Sequence, residues 1–389
     1  MLKFSKLLYQ HGLDKDTFEN HIRPDAGQAA TLRASIKKIR EHVRICVAAA
    51  TVSKLGMERA VEPRFRTQGS WSYDTCVTPS QTPPQEIDWD YGIYLPVTVW
   101  EENGPPHKMA KAYFDLVEEI LGDLCQKERW SLISGKDTCI RIQISKTAHI
   151  DLPLYAAPED EFKKIVEAVD VLKANVLDSV RTESVDFAEG ELSLQQWEQL
   201  NCIVMATRKG EWRKSDPQKV SNWFKDRVEE HGLQLRRTCR YMKAWRDHQW
   251  TEGGPTSVAI MIATAQAFEV HAERDDLAVE HAARRLSVAF RSAITENGID
   301  NGEEDFNRLS ETDRVVVSQR FAQLADVLRS AREAGAYEKE VVINYLRLQF
   351  GSRVPNDINR VETEGSADAI RNTPPVRVVA PVVPSTKAG

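Results

Sequence analysis

Apolar residues recur at helical spacing between Ala30 and Ala60, where Leu32, Ile36, Ile39, Val43 and then Cys46 or Ala50 fall on one face. The stretch has few breakers, so the pattern predicts one long helix near the N-terminus. It then changes. After the short stretch "FRTQGSWSYDT" comes "PPQEIDWDYGIYLPV" (Pro83 to Val97), whose Ile, Trp, Tyr and Val content reads as a strand closed by Pro96. Helical period returns around Met109 to Gln126. The segment "TCIRIQISKTAHIDLPLYAAP" then predicts two strands. Ile140, Ile142 and Ile144 alternate with Arg141, Gln143 and Ser145, and Ile150, Leu152 and Leu154 alternate with Asp151 and Pro153. From about Lys163 onward the period is almost entirely helical, most clearly from Leu235 to Trp250, in "TSVAIMIATAQAFEVHA" and in "LSETDRVVVSQRFAQLADVLRSAREA". The final stretch carries Pro374, Pro375, Pro381 and Pro384, no aromatics and no helical period, and reads as a disordered tail.

The switch of period predicts an α+β chain: a mixed-sheet lobe over 1–160, a helical lobe over 161–360 and a tail over 361–389. No internal repeat is visible. A length of 389 residues suits two lobes, and a net charge of -6 excludes a globally basic nucleic-acid-binding surface, so any anion site must be a local patch. The longest apolar runs, such as "ICVAAATV" and "SVAIMIATAQAF", fall short of a membrane span. The N-terminus "MLKFSKLLYQHGLDKD" lacks a secretory pattern, and a cytoplasmic location is expected. Cys46, Cys76, Cys125, Cys139, Cys202 and Cys239 are scattered, with no C-x-x-C and no zinc spacing, and are read as reduced.

Asp88 and Asp90 are poor strand formers placed inside a strand. Side chains at i and i+2 share a face, so the two carboxylates project together while Ile87 and Trp89 point oppositely into the core. Such a pincer suits a hard divalent cation shared with substrate phosphates, although a lone D-x-D equally describes an exposed pair. Gly69 and Ser70 add a turn that presents N–H groups and a hydroxyl to an anion, or simply caps a helix. Asp151, among apolar neighbours, needs a cation against it. Three carboxylates on strands plus a phosphate-cradling turn describe a two-metal phosphoryl-transfer site.

The order Gly-Ser, D-x-D and a third strand aspartate resembles the polymerase-beta-type nucleotidyltransferases. The fuller text "QGSWSYDT", "TPPQEIDWDYGIYLP", "HIDLPLYA", "LRRTCRYMKAWRD" and "GGPTSVAIM" resembles the bacterial cGAS/DncV-like nucleotidyltransferases (CD-NTases), DncV branch, over about residues 20 to 355. The resemblance implies a polymerase-beta-like lobe with a long N-terminal helix and a helical C-terminal lobe. It implies synthesis of a cyclic di- or trinucleotide, with cyclic GMP-AMP from ATP and GTP favoured, in CBASS antiphage defence, where the product activates a downstream effector. Asp88, Asp90 and Asp151 would be catalytic and bind two Mg2+ ions, and Gln68, Gly69 and Ser70 would contact the triphosphate. Lys243 and Ser257 match phosphate-contacting positions, and Arg141, Ser215 and Asp305 match further nucleotide contacts, Asp305 to a guanine edge.

Arg236 and Arg240, which share a helical stripe with Lys243, read as a solvated face, and His149 as an ordinary structural histidine. The tail ending in Gly389 resembles those joined to targets by an E1/E2-like conjugating enzyme. Two competing readings remain at this stage. One is a template-independent polymerase or tRNA nucleotidyltransferase, disfavoured by the lack of an extended basic surface. The other is a catalytically silent nucleotide-binding regulatory protein, disfavoured by the three intact aspartates. Neither a membrane nor an obligatory nucleic acid partner is expected.

Overall fold

The structure is a computed structural model that describes residues 1–12, 15–97, 107–160, 203–215 and 217–365. The predicted long helix spans Ala26–Leu55. Its ends are set by local chemistry: the Asp25 side chain accepts from the Gln28 N–H, Gln28 reciprocates at the Asp25 N–H, and Gly56 stops the helix at a φ of 67°. These caps place it toward the N-terminal side of the span read from periodicity. Leu32, Ile36, Ile39, Val43 and Val47 are buried along one stripe, in a core shared with Tyr113, Phe114, Val117 and Leu121 of the His107–Glu128 helix and with the sheet.

The strands in chain order are β1 (Leu2–Lys3), β2 (Arg64–Thr67), β3 (Ile87–Val97), β4 (Ser131–Ile133), β5 (Ile140–Ser145), β6 (Ala148–Leu152), β7 (Leu154–Pro158), β8 (Val204–Ala206), β9 (Trp212–Lys214) and β10 (Glu362–Thr363). The main sheet runs β4-β5-β6-β3-β7-β8-β9, with β2 also paired to β3. β6 and β7 both lie parallel to β3 in one continuous register, from Ile87 opposite Ala148 to Val97 opposite Pro158. The break between them falls at Pro153, which has no N–H to give but accepts from the Ile93 N–H at 3.0 Å.

Three bounds read from the sequence change. The sheet continues past residue 160 into β8 and β9, so among the described residues the helical part begins at the Pro217–His231 helix; residues 161–202 lie outside them. The first two dozen residues belong with the helical lobe: Leu2, Phe4, Leu7, Leu8, Phe18 and Ile22 share its core with Phe224, Tyr241 and Phe350. The reading of a tail from 361 also starts too early. Val361 is buried, and β10 pairs with β1, Leu2 opposite Thr363. Residues 366–389 lie outside the described residues. Among the described residues no helix is long and apolar enough to cross a membrane.

The two cores are joined through the connector between β2 and β3. Arg240 donates to the Asp74 carbonyl, Lys243 Nζ to the Thr75 carbonyl at 2.6 Å, and Arg353 to the Thr78 carbonyl at 2.8 Å. Gln85 donates to the carbonyls of Asp247 at 2.9 Å and Trp250 at 2.7 Å. Cations of the helical lobe thus pin the segment that follows the Gly-Ser turn, and the cleft between the cores is fixed from behind.

Candidate active site

The site is made by strand register. Parallel pairing puts Asp88 opposite His149 and Asp90 opposite Asp151, and the antiparallel β5 puts Arg141 opposite Asp151 and Gln143 opposite His149. Cross-strand partners share a face, so these side chains form one polar grid while Ile87, Trp89 and Ile150 pack in the core behind it.

The phosphate turn is fastened onto this grid. Gln68 N–H donates to the Asp90 carbonyl at 2.8 Å, and the short helix Gly69–Ser72 follows. Gly69 has a φ of +60°, and a Cβ there would lie 2.1 Å from Asp90 Oδ2, so only glycine lets the turn rest against that carboxylate. Trp71 stacks on Trp89 with ring centroids 3.9 Å apart and donates from Nε1 to the Asp88 carbonyl at 2.9 Å. Gln68 is buried, with its amide between Tyr94 and Tyr155: Nε2 donates to Tyr94 at 2.6 Å, and Oε1 accepts from Tyr155 at 3.3 Å.

A cavity of about 820 Å³ opens over the grid, between sheet and helices. Gln68, Gly69, Ser70, Asp88, Asp90, Asp151, Ser215, Lys243 and Ser257 all line it. Lys136, Arg246 and Arg308 line it too. Lys136 and Arg308 stand outside any periodic pattern or motif, and Arg246 lies within "LRRTCRYMKAWRD" with nothing in its spacing to mark it, which is why the sequence did not single them out. Two predicted contacts fall elsewhere. Arg141 is not on the wall: it grips Asp151 with two bonds, Nε at 2.6 Å and Nη2 at 2.8 Å. Asp305 is off the cavity and braces a loop, accepting from Ile294 N at 2.9 Å, Asn307 N at 2.8 Å and Arg314 at 2.7 Å. With those donors its carboxylate is already satisfied, which leaves little capacity for a base edge. The solvated reading of Arg240 is also overturned. It is 1% exposed, paired with Glu19 and Asp74, because the N-terminal segment covers that face; Arg236 is half-buried beside Asp74. Gly389 and Cys202 lie outside the described residues, and the other five cysteines are free.

Electrostatics distinguish the three aspartates. Burial, then the charges of Asp88 and Asp151, push Asp90 up to about 8. Burial would raise Asp151 as well, but hydrogen bonds from Arg141 and from Lys136, at 2.7 Å, outweigh it and hold that carboxyl below its ordinary value. Asp88 presents a carboxylate that is 46% exposed. Burial lowers Lys243 to about 8.

His149 is more than a core histidine. Its Nδ1 is 2.6 Å from Glu86 Oε2 and its Nε2 is 3.0 Å from Asp88 Oδ1. Burial would lower its basicity, but the close contact with Asp88 and its charge raise it above the ordinary value. The sequence did hold a signal for this: Glu86 and His149 each precede a site aspartate by two residues, the spacing of one strand face.

The donor set fits a divalent cation. Ligand atoms of Asp88, His149 and Asp151 lie within 4.8 Å of one another, and Asp90 carries the raised proton affinity of a carboxylate that is buried and crowded by like charges, which a cation would relieve.

Residues 63–155 match the family described as cyclic GMP-AMP synthase DncV-like, nucleotidyltransferase domain, and residues 232–363 match cyclic GMP-AMP synthase, C-terminal domain. The cyclic GMP-AMP synthase of Vibrio cholerae serotype O1 is 32% identical over 311 residues, covering 76% of this chain and 68% of that protein. That of Escherichia coli is 32% identical over 323 residues, covering 80% and 72%. The fold superposes on the Vibrio cholerae di-nucleotide cyclase DncV in complex with GTP and 5MTHFGLU2 with a TM-score of 0.76 at 25% identity, covering 94% of this chain and 100% of the other. On the Vibrio cholerae DncV cyclic AMP-GMP synthase the TM-score is 0.74, with the same identity and coverage. With its site built on the same strands that carry the family match, the chain belongs to the DncV-like cyclic GMP-AMP synthase family of nucleotidyltransferases.

Proposed function

We propose that the protein joins ATP and GTP into cyclic GMP-AMP, using two Mg2+ ions, as the signal-producing step of CBASS antiphage defence. The observation that carries the reading is the register that sets Asp90 opposite Asp151 and beside Asp88, against the Gly69 turn, on the floor of a cavity walled by Lys243. The curated relatives bearing the name cyclic GMP-AMP synthase support the product.

Asp88 and Asp90 would hold one cation and Asp151 would share a second; bound there, they supply charge neutralisation at the attacking and leaving oxygens. The chain's own groups do the rest. Gly69 and Ser70 offer the N–H groups and hydroxyl at the start of the Gly69–Ser72 helix to the phosphates, with Lys243 as the fixed cation and Ser257 as a second hydroxyl. Asp151, kept ionised and oriented by Arg141 and Lys136, faces the 3'-hydroxyl of one nucleotide. That hydroxyl attacks the α-phosphate of the other nucleotide and pyrophosphate leaves. A second transfer closes the ring and releases a second pyrophosphate.

The test is incubation with labelled ATP, GTP, CTP and UTP and Mg2+, followed by nuclease digestion and mass analysis. A phosphatase-resistant cyclic GMP-AMP that disappears in Asp88→Ala and Asp90→Ala is expected; linear chains only, or unchanged activity in those variants, overturn the reading. Conjugation of Gly389 by an E1/E2-like enzyme belongs to the same proposal: deleting Gly389 should spare synthesis in vitro and abolish covalent adducts in cells that also express such an enzyme.

A further inference from the structure

Glu86, immediately before β3, reaches across to β6. Its Oε2 is 2.6 Å from His149 Nδ1, its Oε1 accepts from the Gln143 amide, and the far nitrogen of the His149 ring is 3.0 Å from Asp88 Oδ1. The result is a continuous chain over three adjacent strands, Gln143 on β5, Glu86 and His149 in the middle, Asp88 at the cavity. Exposure is greatest at Asp88: its carboxylate is 46% exposed, while the His149 side chain is 7% and Glu86 17% exposed. The Asp88 backbone is fixed as well, through Trp71.

Two features separate this arrangement from a histidine that merely fills space. The ring is hydrogen-bonded at Nδ1 to Glu86, and its Nε2 lies 3.0 Å from Asp88 Oδ1 as an ion-pair contact without hydrogen-bond geometry, so a flip would cost the Glu86 bond and that contact. The free end of the chain is the carboxylate of the site, which, as an open side chain on a strand, would otherwise rotate about its terminal torsion. A buried ring held by an acid and aimed at a ligand carboxylate is the outer-shell arrangement that orients metal ligands.

We propose that Glu86 and His149 are positioning residues that fix the Asp88 carboxylate for a divalent cation, an inference that rests on the metal-dependent reading of this site given above. Although the ligand atoms of His149, Asp88 and Asp151 lie within 4.8 Å of one another, His149 is assigned the positioning role because Glu86 holds its Nδ1 and its Nε2 lies 3.0 Å from Asp88 Oδ1.

The probe is Mn2+, titrated by electron paramagnetic resonance into the full chain with a non-hydrolysable GTP analogue. Loss of outer-shell partners lowers metal affinity by about 10–100-fold. That loss is expected for His149→Ala and for Glu86→Ala, with the double variant no worse than either single one, because the two act as one unit. Glu86→Gln, which keeps an acceptor oxygen for the ring, should recover most of the affinity. Thermal melts establish that each variant is folded; if His149→Ala unfolds, the Glu86 pair carries the comparison, from a side chain less buried than the ring. Wild-type Mn2+ affinity in folded Glu86→Ala overturns the positioning role and leaves the functional reading standing. Nitrogen modulation from a directly bound imidazole in the bound Mn2+ spectrum also overturns it, by making His149 a ligand. A wild-type affinity that Asp88→Ala does not change overturns the functional reading together with this one.

Discussion

The contact between Gly69 and Asp90 gives a sharp prediction, because the fold supplies its own control. Gly69 and Gly56 both adopt left-handed backbone, with φ of +60° and +67°. A Cβ on Gly56 meets nothing within 4 Å, whereas one on Gly69 lies 2.1 Å from Asp90 Oδ2 and 3.0 Å from its Cγ. Gly69→Ala and Gly56→Ala should therefore share a conformational cost of about 1–2 kcal/mol, read as loss of stability in chemical denaturation. Only Gly69→Ala must also turn the Asp90 carboxylate aside, at about 0.5–1.5 kcal/mol for an off-rotamer side chain. A displacement of about 1 Å in a reacting group costs about 100-fold in rate. Steady-state pyrophosphate release should thus show kcat reduced about 100-fold in Gly69→Ala and unchanged in Gly56→Ala. Normal kcat in Gly69→Ala, or an equal loss in Gly56→Ala, would refute the claim that the turn is seated on Asp90.

Lys243 carries a pH dependence of defined sign. Burial lowers its folded-state pKa from 10.5 to about 8, so between those values the unfolded chain binds more protons and the stability of the ligand-free protein rises with pH. Triphosphate affinity should fall over the same interval as the ammonium is lost; Lys243→Met should abolish both trends, as followed by melting curves and nucleotide titrations from pH 7 to 10. Removing one partner of the buried Asp151 cluster with Arg141→Met should cost about 1–3 kcal/mol at neutral pH. Because Asp151 is held below its ordinary 3.8, the deficit should close as the pH falls below that value, which acid-unfolding curves would reveal. Arg240→Met leaves the buried Glu19 with only its 3.7 Å ion pair to Arg23 and should cost about 3 kcal/mol, while the KM for nucleotide in the folded fraction stays at the wild-type value. A raised KM there would refute a purely structural role for Arg240.

The site's ingredients were legible because each violates a local rule. Two aspartates sit in a strand, a third lies among apolar residues, and a Gly-Ser turn precedes them; periodicity placed all four on elements that exist in the fold. The chain text was specific enough to resemble the right family, and the pattern found the long helix and the change from sheet to helices. Arg141, Asp305 and Arg240 were misplaced for one reason. A charged side chain declares its charge in the sequence but not its partner, and Asp151, the Ile294–Asn307 loop and Glu19 had already taken these. The sheet's extension through β8 and β9, and the docking of the first residues on the helical lobe, follow from contacts between distant segments that no local window contains.

The sequence by itself determined which faces are apolar and which residues bring charge, because strand and helix periods act within a few residues. It decided that Asp88 and Asp90 point together. Only the tertiary structure decided what they point at: the pairing of β3 with β6 sets Asp151 and His149 opposite them, and a register shifted by one residue would turn those side chains to the other face.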